Sequence, residues 1–236
     1  MKLIFDGHTH TVASGHAYST ILENVEYAKK KGLKIIAITD HAHMMPGGAH
    51  PWHFWNLTNI PRMINGVIVL TGVEANILNP NGDLDIDLDR DYKLCEVKIA
   101  SIHGGIYEGA TKEDNTKAYL NIIKNNKANI IGHPDDLRFD FDIDEVIKAA
   151  SEYNVAIGVN DASQRMGRTN RNREIEILEA CKKYNTKIVC SSDAHIALDV
   201  GNFEKIIPIL KEVKFPEELI LNTSKEKVLD FFGIEM

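Results

Sequence analysis

Several things are scarce in this chain, and each scarcity removes a class of protein. Cysteine occurs only three times, at Cys95, Cys181 and Cys190, with no CxxC spacing. That excludes a disulfide scaffold and a thiolate zinc ribbon, and it leaves free thiols that serve as packing residues in a reducing compartment. No apolar stretch reaches the ~18 residues of a membrane span. The opening residues enter a strand-like segment without the basic and apolar regions of a secretory leader, so the expectation is a cytoplasmic chain with no membrane partner. Basic residues number 27 against 34 acidic ones, and the net charge of -7 disfavours a nucleic acid partner, since no broad cationic footprint is available. Bound cations would reverse that sign locally. No GxGxxG follows the first strand and no GxSxG occurs anywhere, so neither a dinucleotide fingerprint nor a serine nucleophile elbow is present.

What is present suits one α/β domain spanning residues 1–236, because 236 residues with 44% hydrophobic content can bury a substantial core. Apolar runs at 3–5, 35–39, 67–70, 99–102, 128–131, 155–159 and 188–190 are short, mostly β-branched and continuous rather than alternating. Such runs predict parallel strands buried on both faces. Between them, 20–31, 112–125, 144–153 and 171–184 carry apolar residues at helical spacing, the first opening on the capping box Thr20-x-x-Glu23 and stopping at Gly32. Alternating strands and helices give a parallel sheet, and seven strands can close into a distorted, TIM-like (β/α) barrel. An open doubly wound sheet is the alternative. A final helix over 222–232 is expected to close the bottom or edge of the barrel.

Two segments interrupt the pattern. After the Asn81-Gly82 turn, Asp83, Leu84, Asp85, Ile86, Asp87, Leu88 and Asp89 alternate, which predicts a small edge hairpin within 76–92. A calcium loop would need a further Gly and a terminal Glu that do not follow. The stretch 44–62, rich in Pro, Gly, Trp and His, has no clear period and is expected to be a loop over the site, with Trp52, Phe54 and Trp55 either forming a lid or packing it down.

Seven of the ten histidines fall in short blocks, most of which directly follow a strand: His8 and His10, His16, His41, His103, His133 and His195. His8 and His10 are two apart, so on an extended strand both point to one face. Glu74 follows the third strand and Asp193 the last. Strand ends of a barrel converge at its C-terminal face, so these nine residues predict one metal site. Any one of the histidines alone would read as a satisfied core residue, whereas the whole set would require seven coincidences of position. Nine ligands exceed what one ion with an open coordination position can use, so two or three divalent ions are expected. Imidazoles with a few carboxylates suit zinc first, and manganese or iron after it. Glu74 has two oxygens with which to bridge two ions, and Asp40 is placed either to orient an imidazole or to cap the next segment.

The blocks Asp6-Gly7-His8-Thr9-His10-Thr11, Ile38-Thr39-Asp40-His41, Gly72-Val73-Glu74-Ala75-Asn76, Gly132-His133-Pro134 and Ser192-Asp193-Ala194-His195 resemble the PHP family, named for polymerase and histidinol phosphatase. The stretches 11–20 and 52–54 are similar to its YcdX-like phosphatase branch. The resemblance covers nearly the whole chain. It implies a trinuclear centre, with His8, His10, Glu74 and Asp193 around the first ion, Glu74, His103 and His133 around the second, and His16, His41 and His195 around the third.

The activity so implied is hydrolysis of a small-molecule phosphomonoester by a metal-bridging hydroxide, with Glu74, Asp193 and His195 at the reacting centre. The alternatives are a phosphodiesterase or nuclease, a histidinol phosphatase and, in a different class, a non-enzymatic metal-binding domain. A small phosphorylated substrate is the expected partner, and a homo-oligomer stays open. His50 and His53, Asn160-Asp161, and Arg62, Arg165 and Arg168 as phosphate clamps are further candidates, each with a surface or structural role as its rival.

Overall fold

Ile, Val and Ala fill the predicted strands because both faces of each strand are covered. In the computed structural model, which describes every residue except 88, 89, 91 and 110, the strands in chain order are β1 (Phe5–Asp6), β2 (Ile35–Ile38), β3 (Met63–Ile64), β4 (Val67–Asn76), β5 (Val97–Ser101), β6 (Ile130–Ile131), β7 (Ala156–Asn160) and β8 (Ile188–Ser191). They pair in parallel as β1-β2-β4-β5-β6-β7-β8, and β3 is antiparallel on β4. The result is a nearly closed seven-stranded TIM-like barrel. Residues alternate across it: Phe5, Ile35, Ala37, Leu70, Ile99, Ile130, Ala156 and Val189 pack together in one core, while Ile36, Ile38, Val69, Ala100 and Ile157 belong to a second core shared with the helices.

The helices are α1 (Ile21–Lys30), α2 (Pro51–Trp55), α3 (Lys112–Lys124), α4 (Ile143–Glu152), α5 (Asp161–Arg165), α6 (Arg171–Tyr184), α7 (Ile206–Glu212) and α8 (Lys225–Phe232). The capping box that opens α1 forms, with Thr20 accepting from the Glu23 amide and Glu23 accepting from that of Thr20. Helix α8 closes the bottom of the barrel, placing Val228 in the same core as Phe5 and setting Phe232 edge-on to Phe5 with ring centroids 6.2 Å apart. The three cysteines are buried and form no disulfide among the described residues, as packing residues should. Among the described residues no helix is long and apolar enough to cross a membrane.

Two expectations need correction. The alternating acidic segment does not form a hairpin ladder among the described residues: a single antiparallel bridge joins Ile77 to Leu84, closed by Leu78 N donating to Asp83 O at 2.8 Å. Pairing stops there because Asp85 turns inward and is buried, its carboxylate taken up by Asn76. Leu88 and Asp89 of that stretch lie outside the described residues. Helix α7 escaped sequence reading because Pro208 sits within it and Lys205 supplies no side-chain cap. Proline is tolerated there because it occupies the first turn, where amides lack helical partners.

The seam between β1 and β8 is closed by side chains and, past the strand ends, by one parallel bridge of Thr9 to Ala194 rather than by a continuous ladder. Asn222 Nδ2 donates to Phe5 O at 2.8 Å and to Cys190 O at 2.7 Å, while its Oδ1 accepts from Cys190 N at 2.7 Å. One level up, the buried Asp6 carboxylate accepts from Ser192 N at 3.0 Å, Ser192 Oγ at 2.5 Å and Gly201 N at 2.8 Å. Above that, His10 N donates to Ala194 O at 2.9 Å and Asp193 N to His8 O at 3.0 Å. This brings the end of the first strand against the end of the last. Replacing Asn222 by Ala orphans three buried backbone groups, so urea unfolding should show a loss of about 3 kcal/mol or more at ~1–3 kcal/mol per unsatisfied group. A loss of under about 0.5 kcal/mol would mean that the seam closes without it.

Candidate metal centre

Each barrel strand ends at the same face, and backbone geometry aims its side chain inward. Thr9 is held between His8 and His10 by its hydroxyl, which donates to Ala37 O at 2.6 Å, so both imidazoles turn the same way and their Nε2 atoms lie 2.9 Å apart. Glu74, near the end of the long β4, is 0% exposed. Two of the converging residues depart from ordinary backbone, His133 at φ 29° and Asp193 at φ 51°. Non-glycine residues in this region carry strain that surrounding structure must hold, and such strain clusters at functional sites. Gly132, just before His133, has to be glycine because a Cβ there would run into the Ser101 hydroxyl.

All nine residues singled out from the sequence reach this one cluster. Glu74 lies at its centre, and its two oxygens face different partners. Oε1 is 2.9 Å from His133 Nε2 and 3.4 Å from His103 Nε2. Oε2 is 2.8 Å from His41 Nδ1, 3.2 Å from His8 Nε2 and 3.5 Å from His10 Nε2. Asp193 Oδ1 is 3.1 Å from His10 Nε2 and 3.6 Å from His195 Nδ1. His16 joins at the rim, with its Nε2 3.0 Å from that of His195. Three groups have ligand atoms all within 4.8 Å of one another: His8, His10 and Asp193; His41, Glu74 and His103; His10, His41 and His195.

The electrostatics follow from a buried carboxylate pair among imidazoles. Burial works against the charge of Glu74, yet His8, His41 and His103 hold its carboxyl well below the usual range. Asp193 is likewise held well below its ordinary value against burial, by the His10 and His8 imidazoles beside it. Burial opposes a charged His8 too, but Glu74 and Asp193 lift it to about 9. Burial and the neighbouring His41 push His10 down to about 3. Even so, Glu74 Oε2 and His41 Nδ1 are buried without a well-directed hydrogen bond. A carboxylate oxygen ringed by imidazole nitrogens that satisfies none of them is a donor set suited to a cation.

Behind the cluster lies a layer that sequence reading recognised only in part. The Ser14 hydroxyl donates to Asp40 Oδ1 at 2.7 Å and can therefore only accept from His10 Nδ1, 3.0 Å away. The His10 proton is thereby fixed on Nδ1, leaving the Nε2 lone pair for a metal. Asp40, also held by Thr11 N and Thr11 Oγ1 at 2.7 and 2.8 Å, thus has the orienting role rather than a capping one. Ser101 donates to Glu74 Oε1 at 2.6 Å, and Asn160 Nδ2 to Asp193 Oδ2 at 3.0 Å. Ser14 and Asn76 stood inside the quoted stretches and Ser101 inside the apolar run 99–102, but only their three-dimensional contacts show what they hold.

A cavity of about 270 Å³ opens over the cluster, lined by His16, His41, Glu74, His103, His133, Asp193 and His195 together with Met45, Gly104, Asp136, Arg138 and Arg168. Arg168 Nη1 lies 3.8 Å from Asp193 Oδ2. Arg138, a residue the sequence reading did not single out, is braced on Asp136 at 2.6 Å. The other candidates take structural roles. Arg165 is tied to Asp199 at 2.9 Å and to Ser192 O, Arg62 pairs with Glu96, and Asp161 accepts from Lys205 N at 2.7 Å. His50 caps α2, His53 approaches Asp40 at 3.4 Å, and Phe54 is buried beneath the loop.

Comparison with known proteins gives the family and the fold. The family profile described as the PHP domain matches residues 6–163, a span that ends before Asp193 and His195. A protein named "probable phosphatase" from Photobacterium profundum is 44% identical over 234 residues, covering 98% of this chain and 94% of its own. Another of the same name from Clostridium acetobutylicum is 43% identical over 232 residues, covering 98% and 95%. The histidinol phosphate phosphatase of Lactococcus lactis, crystallised with zinc, L-histidinol and phosphate, has the same fold at a TM-score of 0.64 and 19% identity, covering 90% of this chain and 94% of its own. The chain belongs to the PHP domain family.

Proposed function

We propose that residues 1–236 act as one metallohydrolase domain that hydrolyses a small-molecule phosphomonoester, with the nine clustered residues holding two or three divalent ions. The observation that carries this reading is the division of Glu74, whose Oε1 faces His103 and His133 while Oε2 faces His8, His10 and His41. That division suits one carboxylate shared between an ion held with His8, His10 and Asp193 and another held with His103 and His133. His16, His41 and His195 supply the third position. The donor set fits zinc first, then manganese or iron.

When bound, such ions supply an acidified water as nucleophile and the positive charge that neutralises phosphate oxygens. The protein supplies the rest. Arg168, at the cavity wall beside Asp193, offers a planar guanidinium matched to phosphate oxygens. Asp193 and Asn160 hold each other, and Ser101 holds Glu74, so the acidic residues cannot swing as charge develops. His195, a quarter exposed, lines the cavity where a leaving group would depart. The small cavity volume suits a metabolite rather than a polymer, in agreement with the net charge of -7. Relatives named as phosphatases support the same class of reaction. Cys190 offers no competing nucleophile: burial drives its thiol far up, away from a usable thiolate.

Incubation with excess chelator should abolish turnover of a phosphomonoester, and zinc or manganese should restore it. The matching bis-ester assayed in parallel should be cleaved at least ~10-fold more slowly. A chelator-insensitive rate would refute metal dependence, and preference for the bis-ester would turn the reading toward a phosphodiesterase. The His16→Ala variant should lose one ion per chain and most activity. Full metal content by elemental analysis in that variant would refute the three-ion assignment.

A further inference from the structure

The alternating acidic segment after β4 has an unexplained member. Asp85 is buried at 4% exposure, unlike its exposed neighbours Asp83 and Asp87, although the segment around it forms only one bridge of strand pairing. Its Oδ1 accepts from Asn76 N at 2.7 Å, and its Oδ2 accepts from Asn76 Nδ2 at 2.5 Å and from Met44 N at 2.9 Å. Asn76, fully buried, turns its Oδ1 to His103 Nδ1 at 2.7 Å, and His103 Nε2 faces Glu74 Oε1 at 3.4 Å.

We infer that Asp85 is a positioning residue that acts through Asn76 to fix the tautomer and ring orientation of His103, and so tunes the affinity of the cation position that His103 shares with Glu74. The metal part of this inference rests on the ligand assignment proposed above.

Hydrogen-bond polarity dictates this arrangement. An amide can present either its oxygen or its nitrogen to a neighbour, and an isolated Asn76 could flip. A carboxylate only accepts, so Asp85 forces the Asn76 nitrogen toward itself and the oxygen toward His103. An oxygen there can only accept, so His103 carries its proton on Nδ1 and keeps the Nε2 lone pair for a metal. Ser14 is placed between Asp40 and His10 by the same polarity, a carboxylate dictating the sense of a neutral intermediary. The bond from Met44 N to Asp85 also ties the loop after β2, whose Met45 lines the cavity, to the same carboxylate.

The test compares Asp85→Asn and Asn76→Ala with wild type. A carboxamide at 85 no longer dictates which way Asn76 faces. The Asn76→Ala variant leaves the bonds from Asp85 to Asn76 N and Met44 N in place, so it carries the same expectation should Asp85→Asn not fold. In metal-free, histidine-labelled protein, nitrogen chemical shifts should show His103 of the wild type protonated on Nδ1 only, and a mixture of tautomers in both variants. Zinc affinity, measured by competition with a chromophoric chelator, should fall ~10- to 100-fold at one site, as loss of a partner behind a metal-binding histidine does. The double variant should be no weaker than either single one, as expected for residues acting in series.

Asp83→Ala loosens the same turn by removing the bond from Asn79 Nδ2 at 3.0 Å and should leave zinc affinity unchanged. An Nε2-protonated His103 in wild type, unchanged tautomers in the variants, additive losses, or an equal loss in Asp83→Ala would each overturn the inference. Unchanged zinc binding in His103→Ala would instead overturn the ligand assignment, while the tautomer measurement still decides the role of Asp85.

Discussion

The structure depends on a buried negative charge. Glu74 sits with Asp193 where the barrel strands converge, out of contact with water, and among the described residues the ion-pair partners of Glu74 are histidines rather than lysine or arginine. An unpaired carboxylate in such a place costs several kcal/mol or more. The protein meets that cost with imidazoles delivered by other strand ends and with hydroxyl and amide donors from Ser101 and Asn160. Imidazoles compensate only partly, because one that is protonated to pair with the carboxylate must give up that proton before it can bind metal. The arrangement therefore favours the one kind of guest that satisfies carboxylates and neutral imidazoles together, a divalent cation.

The rest of the fold serves that convergence. A regular ladder between β1 and β8 is replaced by Asn222, Asp6 and the contacts around Ala194, which set His8 and His10 against Asp193. Strain at His133 is held where Gly132 lies against Ser101, and Asp193 is held by its amide bond to His8 O and by Asn160. The acidic surface and the proposed cationic centre are not in conflict: the first keeps polyanions away from most of the molecule, and the second gathers one small anion into a cavity of about 270 Å³.

The barrel and the residues that converge in its cluster were legible because both obey short-range rules. Buried parallel strands are continuous apolar runs, and a ligand placed just past a strand end inherits its position from that strand. The arginines were not legible: Arg62 and Arg165 brace Glu96 and Asp199, and Arg138 went unnoticed although it lines the cavity. A long flexible side chain carries no periodicity that says where its guanidinium ends. The acidic segment misled in the opposite direction, since alternation predicts a strand only if every second residue stays outside, and Asp85 finds better partners inside. Helix α7 was hidden by Pro208, whose place in a first turn cannot be known until the helix start is known.

On the proposed assignment the two oxygens of Glu74 serve two different cation positions. Anomalous diffraction from crystals grown with zinc would locate them. Separate zinc peaks are expected within bonding distance of Oε1 and of Oε2, the first also bonded to His103 and His133 and the second to His8 and His10. A single peak, or zinc bound with Glu74 left uncoordinated, would contradict that assignment.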